Sequence, residues 1–411
     1  MRLILFITIL LSAQAATGQF KMEDYLGNAT LERELQSIEG RLDYANNTKF
    51  RSPIIREVEV RLRENSWGEG IEDYKLRFSP INPFEKIANR KYATALQSQL
   101  TSEYRMKLNN VLEKRYLNLI NHWLLSEVIG ISLEKAAFYH KLTEMISKQP
   151  DQFSIKEVIQ IDREQLQTQL KIEDLELEKS QLEYLINQSY SYSGIIDWEN
   201  IQLIDILHIQ KRIIDLGGPN VNNNLSLINK EESILLEESL FNIKQKKSFS
   251  NIGYFQAEFR EDDDQSFKQN LGFQIGISLP IVNNDRPDLE RERLDIVEEN
   301  LEFEEEKQSV SIQSDLNQIQ LKNALKQYEI VARKEAKYAD LLIHNLDAEE
   351  TLDALTEING FIYELRLSKA KVYHQALTKY INMLAQNGEL STAPFINHIS
   401  ADQSTFDLVP R

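Results

Sequence analysis

The stretch LGFQIGISLPIVNNDRP, residues 271–287, alternates large apolar side chains with small or polar ones. Leucine, phenylalanine or isoleucine occupies every odd position from Leu271 to Ile281, whereas glycine, glutamine or serine occupies the even positions from Gly272 to Ser278. This period of two predicts a β-strand with one apolar face and one polar face. Whether the apolar face meets a protein core or lipid decides the class of the protein.

The strand belongs to the second of two predicted β-hairpins. The hairpins cover 54–81 and 250–282, and in each of them a polar turn separates two alternating strands. A long helix is predicted after each hairpin, over 84–149 and 288–345, because apolar residues recur at spacings of three and four and no proline interrupts the run. The shorter helices predicted ahead of the hairpins cover 26–47 and 227–247.

A polar break and a returning helix follow each long helix. The returning helices are predicted over 153–188 and 351–387, and they align with an offset of 197 residues, which pairs Ile155 with Leu352. We therefore predict an internal duplication. Its parts are a first repeat at 20–188, a turn-rich connector at 189–229, a second repeat at 230–390 and a C-terminal tail at 391–411.

The two ends of the sequence carry their own signals. Residues 1–19 have a basic Arg2, an apolar run and an Ala13-Gln14-Ala15 site, which predicts a secretory signal peptide cut after Ala15. No later segment has 18 consecutive apolar residues, so no transmembrane helix is predicted. The final residues 408–411, LVPR, match the remnant of a thrombin-cleaved affinity tag, although a native end is an alternative.

Composition and motifs exclude several functions. The formal net charge of −17 argues against a nucleic-acid partner, because phosphate neutralisation needs a basic patch. The 411-residue chain has no cysteine, hence no disulfide and no lipid-modified cysteine. Its six histidines lack metal-ligand spacing, and no nucleophile or phosphate-binding motif occurs. We therefore predict no enzyme, no metal and no cofactor.

Over nearly the whole mature chain the pattern resembles the TolC-like outer-membrane efflux proteins, also called outer membrane factors. The resemblance depends on the twofold repeat, on GFQIGISLPIVNNDRPDLERERLDI at 272–296, and on the two returning segments that begin SIKEVIQIDREQL and TLDALTEINGFIY. It implies a mostly α fold with a small β part: a homotrimer forms a 12-stranded outer-membrane β-barrel, continued by a periplasmic tunnel of coiled helices. The implied partners are outer-membrane lipid, a periplasmic adaptor and an inner-membrane transporter.

The resemblance also implies roles for individual residues. The lipid-facing side chains of the opening strand are Phe273, Ile275, Ile277 and Leu279, and the lumen-facing ones are Gln274 and Ser278. The adaptor would dock at the two helical tips, near 149–153 and 345–351. Candidates for the channel tip or gate are the carboxylates Asp151, Asp347, Glu349 and Glu350, which threefold symmetry would turn into rings; helix N-capping is the alternative explanation.

Strand aromatics and the overall function have alternatives as well. Aromatic side chains of the hairpins predict membrane-interface girdles, or else ordinary strand packing; they are Tyr74, Phe78, Tyr254, Phe255, Phe259 and Phe273. The leading functional hypothesis is the exit duct of a tripartite efflux or type I secretion system in the Gram-negative outer membrane. The alternative is a periplasmic helical scaffold or adaptor without channel activity.

Overall fold

A computed structural model describes residues 22–47, 55–63, 73–81, 83–148, 154–189, 203–215, 220–248, 253–260, 271–276, 286–345 and 352–409. The predicted class, mostly helical with a small β part, is confirmed. The elements in chain order are α1 (Met22–Gly27), α2 (Arg33–Asn47), β1 (Ile55–Arg63), β2 (Asp73–Pro80), α3 (Pro83–Lys148), α4 (Ile155–Ser189), α5 (Ile206–Asp215), α6 (Leu225–Ser248), β3 (Tyr254–Arg260), β4 (Leu271–Gly276), α7 (Arg286–Asn345) and α8 (Leu352–Gln386). The predicted signal peptide lies outside the described residues.

Two very long helices dominate the chain. The helix α3 has 66 residues and α7 has 60, which at about 1.5 Å per residue makes each roughly 90 to 100 Å long. The helices that follow them, α4 and α8, both have 35 residues, and they begin at Ile155 and Leu352, the two positions that the offset of 197 pairs. No helix within the described ranges combines the length and the apolarity needed to cross a membrane.

The chain divides into two compact units. The first unit takes its residues from 1–36, 106–224 and 309–411, and the second from 37–105 and 225–308. In the second unit, α2 pairs with α3 through Arg41 and Glu103, whose charged atoms lie 2.7 Å apart. In the same unit Lys230 of α6 lies 3.2 Å from Glu306 of α7. Ion pairs therefore connect each short helix to the long helix of its own half.

The first unit contains the larger helical core. One face of α3 is buried at intervals of three and four residues, as expected for a helix that packs along one stripe. This face consists of Leu108, Leu112, Tyr116, Leu119 and Ile120. From α8, Tyr380, Ile381 and Leu384 are also fully buried. The helix α8 ends in a Schellman motif, in which Gly388 has a φ of 68° and Glu389 N–H donates to the Leu384 carbonyl at 3.0 Å.

The predicted helix at 26–47 is wrong in its first third. The structure has the short α1, a 3₁₀ turn at Asn28–Leu31 and a helix that begins only at Arg33. The cause is the C-terminal segment, because Val409 N–H donates to the Gly27 carbonyl at 3.1 Å and the hydroxyl of Thr30 donates to the Val409 carbonyl. A Cβ on Gly27 would lie 2.5 Å from the Asp407 carbonyl oxygen.

The C-terminal segment after α8 packs into the first unit. Its buried side chains include Leu390, His398, Ile399 and Phe406. The Ile204 N–H donates to the Ile399 carbonyl at 2.8 Å, and the hydroxyl of Tyr116 donates to the Ile396 carbonyl at 2.9 Å. Residues 408 and 409, which match the start of a tag remnant, thus belong to a segment with tertiary contacts.

Candidate functional site

The four strands form one antiparallel sheet in the order β1-β2-β3-β4. Its register aligns the apolar residues of all four strands into three transverse rows. The rows are Val58–Phe78–Phe255–Ile275, Val60–Leu76–Ala257–Phe273 and Leu62–Tyr74–Phe259–Leu271. Every member of the rows is apolar or aromatic, so this side of the sheet is one continuous apolar face.

The apolar face is uncovered by the rest of the described chain. Phe273 is 79% exposed, Ile275 is 65% exposed and Val60 is 65% exposed. A soluble protein rarely leaves such large neighbouring side chains in water, because burying each of them would gain about 1.5 to 3 kcal/mol. An exposed apolar face of this extent is the kind of surface that contacts a membrane or another protein.

The opposite face of the sheet is polar and its charges are paired across strands. Lys75 lies 3.1 Å from Glu258, and Arg260 lies 3.0 Å from Asp73; both are register partners on β2 and β3. On β1, Glu59 accepts from Arg61 at 2.6 Å. Arg61, Glu59 and their neighbours alternate with the apolar rows, which gives the sheet two faces of opposite character. Such a face suits contact with water.

The polar face includes a tight aromatic contact. Tyr254 and Gly276 are register partners, and a Cβ on Gly276 would lie 2.3 Å from the ring of Tyr254. The guanidinium of Arg77 lies 3.8 Å from the centre of the same ring, a cation–π geometry. Tyr254 therefore lies on the polar side, and the interpretation of this residue as part of a lipid-facing girdle is wrong; its parity with Gln256 is the signal that places it there.

The sheet is open at both sides. Within the described parts of the chain, no strand pairs with the outer edge of β1 or of β4. Unpaired edges expose backbone donors and acceptors, which promote pairing with another chain in water and are not tolerated in lipid. Within the described residues the sheet thus combines one apolar face with two open edges.

The structure places some of the predicted site residues and leaves others outside its description. Phe273 and Ile275 lie on the apolar face, and Gln274 lies on the polar face, where it accepts from Gln256 at 3.4 Å. The other predicted strand residues, Ile277, Ser278 and Leu279, lie outside the described residues, as do the tip candidates Asp151, Asp347, Glu349 and Glu350.

The helices α3 and α4 pack against each other near the ends that lead to 149–153. Tyr139, Leu142 and Ile146 of α3 pack against Ile161 of α4 in one buried cluster. At the start of α4 the side chain of Glu157 accepts from Ser154 N–H at 2.6 Å, while Glu157 N–H donates to the Ser154 hydroxyl oxygen. This is a capping box, and its hydrogen bonds lower the pKa of Glu157. The sequence pattern S-x-x-E at 154–157 is the local signal that predicts such a cap.

The histidines whose side chains the structure describes form no metal centre. Among the described residues no group of three potential ligands comes together. His122 of α3 is buried and its Nε2 lies 2.8 Å from Glu183 of α4, and burial lowers its pKa to about 4. His374 pairs instead with Asn121 at 2.7 Å. His122 therefore packs between α3 and α4 as a neutral side chain at neutral pH.

The fold is similar to that of solved outer-membrane proteins. A scan of protein-family models finds no match, and neither does a search of curated proteins. Solved structures do match: CusC, whose crystal structures concern transmembrane channel formation, has a TM-score of 0.66 at 11% identity, with 90% of this chain and 92% of that chain covered. The outer membrane protein VceC of Vibrio cholerae has a TM-score of 0.60 at 11% identity, covering 89% of this chain and 96% of that one.

A third similar structure is the open state of the MtrE outer membrane channel of Neisseria gonorrhoeae. Its TM-score is 0.61 at 10% identity, and 93% of this chain and 91% of that chain are covered. The resemblance predicted from the repeat is therefore confirmed: the chain has the fold of the TolC-like outer-membrane channels. At these identities the comparison establishes the fold alone.

Proposed function

We propose that the protein is an outer-membrane channel that acts as a passive exit duct for efflux or type I secretion. The observation that carries the proposal is the open sheet, whose one face has three exposed apolar rows and whose other face has paired charges. Lipid would cover the apolar face and water would fill the space beside the polar face. The two long helices per chain would continue the duct into the periplasm.

The open edges support a trimeric assembly. Four strands cannot close a barrel, whereas three protomers with four strands each would give twelve. In that assembly the outer edge of β1 in one protomer pairs with the outer edge of β4 in the next, which satisfies the backbone groups that lipid would leave unpaired. The barrel would therefore close only when the trimer forms.

Partners and gate follow from the same assembly. A passive duct needs an energy source elsewhere, so we propose an inner-membrane transporter and a periplasmic adaptor that docks near 149–153 and 345–351.

The entrance of the duct would carry carboxylate rings, which favour cations and narrow the pore. The rings would be formed by Asp151, Asp347, Glu349 and Glu350. If these rings gate the duct, Asp347→Ala and Glu350→Ala raise conductance and weaken block by multivalent cations, whereas Glu357→Gln, on an exposed position of α8, changes neither.

Planar-bilayer recording of the detergent-purified protein tests the main proposal. We expect discrete channel currents from a particle with the mass of three chains. The alternative, a periplasmic scaffold, predicts a water-soluble protein without currents. The exit duct would be ruled out by a chain that stays monomeric in water. It would also be ruled out by a trimer that conducts neither as the wild type nor as the tip variants.

A further inference from the structure

A groove of about 450 Å³ lies between α3, α7 and α8 in the first unit. Its volume falls within the range of small-molecule sites, about 300 to 1,000 Å³. Two of its lining residues, Ile131 and Ala370, are buried, and the others are accessible to solvent. The groove is therefore an accessible concavity with an apolar base.

One part of the groove is aromatic. The rings of Trp123 and Tyr373 meet edge to face with centroids 4.9 Å apart, and Tyr328 lies 5.8 Å from Tyr373. The Tyr373 hydroxyl donates to the Ile204 carbonyl, which fixes the ring, and burial raises the pKa of Tyr373 so that the phenol stays neutral. Three helices thus present fixed aromatic surface to one small volume.

The other part of the groove is charged. Arg366 lies 2.5 Å from Glu134 and 3.6 Å from Glu335, and Lys369 lies 2.7 Å from Glu335. The two cations are thereby neutralised by two carboxylates. A third lining carboxylate, Glu127, is exposed and forms no ion pair with any residue that the structure describes. The lining as a whole has one negative charge more than it has positive charges.

We propose that this groove binds a planar aromatic cation. Aromatic side chains attract cations through their electron-rich faces, and Glu127 lies one helical turn after Trp123 on α3, where its carboxylate faces the same groove. An anion would meet the excess carboxylate, and the two basic residues are already engaged by acids. Binding at this groove is separate from conduction, because it does not require the sheet to close.

Equilibrium dialysis of the full chain in detergent tests the proposal, with ethidium as the cationic probe and fluorescein as an anionic probe of similar ring area. We expect saturable ethidium binding and no saturable fluorescein binding. The charge removal Glu127→Gln weakens ethidium binding about threefold, since Glu127 is exposed to solvent, and the charge reversal Glu127→Lys weakens it about tenfold. Trp123→Leu weakens it about tenfold through loss of the cation–π surface.

The matched control is Glu173→Gln, an exposed carboxylate of α4 that does not line the groove, and it leaves ethidium binding unchanged. Ethidium binding that is equal in wild type, Glu127→Gln and Glu127→Lys would overturn the proposal, and so would fluorescein binding of equal affinity. Because the readout is dialysis, failure here is separate from a failure to conduct. Helix content measured by circular dichroism confirms that the Trp123→Leu chain is folded.

Discussion

Replacement of Phe273 by arginine measures which solvent the apolar face meets. Phe273 lies in the middle of the three rows, beside Ala257, and is 79% exposed. In lipid, an arginine at the middle of a barrel face costs about 2 to 4 kcal/mol, which lowers the folding equilibrium constant about 30- to 800-fold. In water, a substitution at so exposed a position changes the free energy of unfolding by less than about 0.5 kcal/mol.

The assay is a urea titration of the protein folded into phospholipid vesicles, followed by tryptophan fluorescence. The control is Gln274→Arg, the next residue along β4, whose side chain lies on the polar face among other charges. We expect Phe273→Arg to lower the free energy of unfolding by about 2 kcal/mol or more. Gln274→Arg should lower it by less than about 1 kcal/mol. Equal losses for the two variants would refute the assignment of lipid to the apolar face.

Three further predictions concern stability. Gly276→Ala places a Cβ against the ring of Tyr254, so we expect it to lower the free energy of unfolding by about 1 to 3 kcal/mol. In a chain that also carries Tyr254→Ala, Gly276→Ala should have little further effect, and additive effects of the two substitutions would contradict the contact. Gly388→Ala, at a φ of 68°, lowers the free energy of unfolding by about 1 to 2 kcal/mol, whereas Gly360→Ala, where a Cβ meets nothing within 4 Å, does not lower it. Burial lowers the pKa of His122 to about 4, so below pH 6.5 the unfolded chain binds a proton at this side chain that the folded chain does not bind. The contribution of His122 to stability is therefore fully present above pH 6.5 and is lost between pH 6.5 and pH 4, by up to about 3 kcal/mol, and His122→Gln makes that slope shallower in a pH series of unfolding curves.

Periodic features of the fold were accessible from the sequence. Alternation at period two predicted the apolar face that includes Phe273 and Ile275, and the offset of 197 residues paired Ile155 with Leu352, where α4 and α8 begin. Both patterns are local, since each side chain's face follows from its distance along the chain to its neighbours. They lead to the fold because the long helices and the strands have enough residues to show their period, whereas the six-residue α1 does not.

Contacts between distant parts of the sequence could not be predicted in the same way. Thr30 and Val409 are 379 residues apart, and nothing in either neighbourhood indicates that one holds the other in place. The groove likewise combines Trp123 with Tyr328 and Tyr373 from separate helices, although each aromatic residue alone has the spacing of ordinary helix packing. A pairing between remote segments leaves no periodic signal, and only the folded chain shows it.

The open edges of β1 and β4 also bear on the genetics of the protein. If three chains close one sheet, a cell that makes normal and damaged copies in equal amounts has only about one assembly in eight built from normal chains alone. A lesion that leaves the chain folded but alters an edge strand is then expected to be dominant, because a damaged copy inactivates every normal chain in its assembly. A lesion that prevents the chain from folding removes only itself and is expected to be recessive.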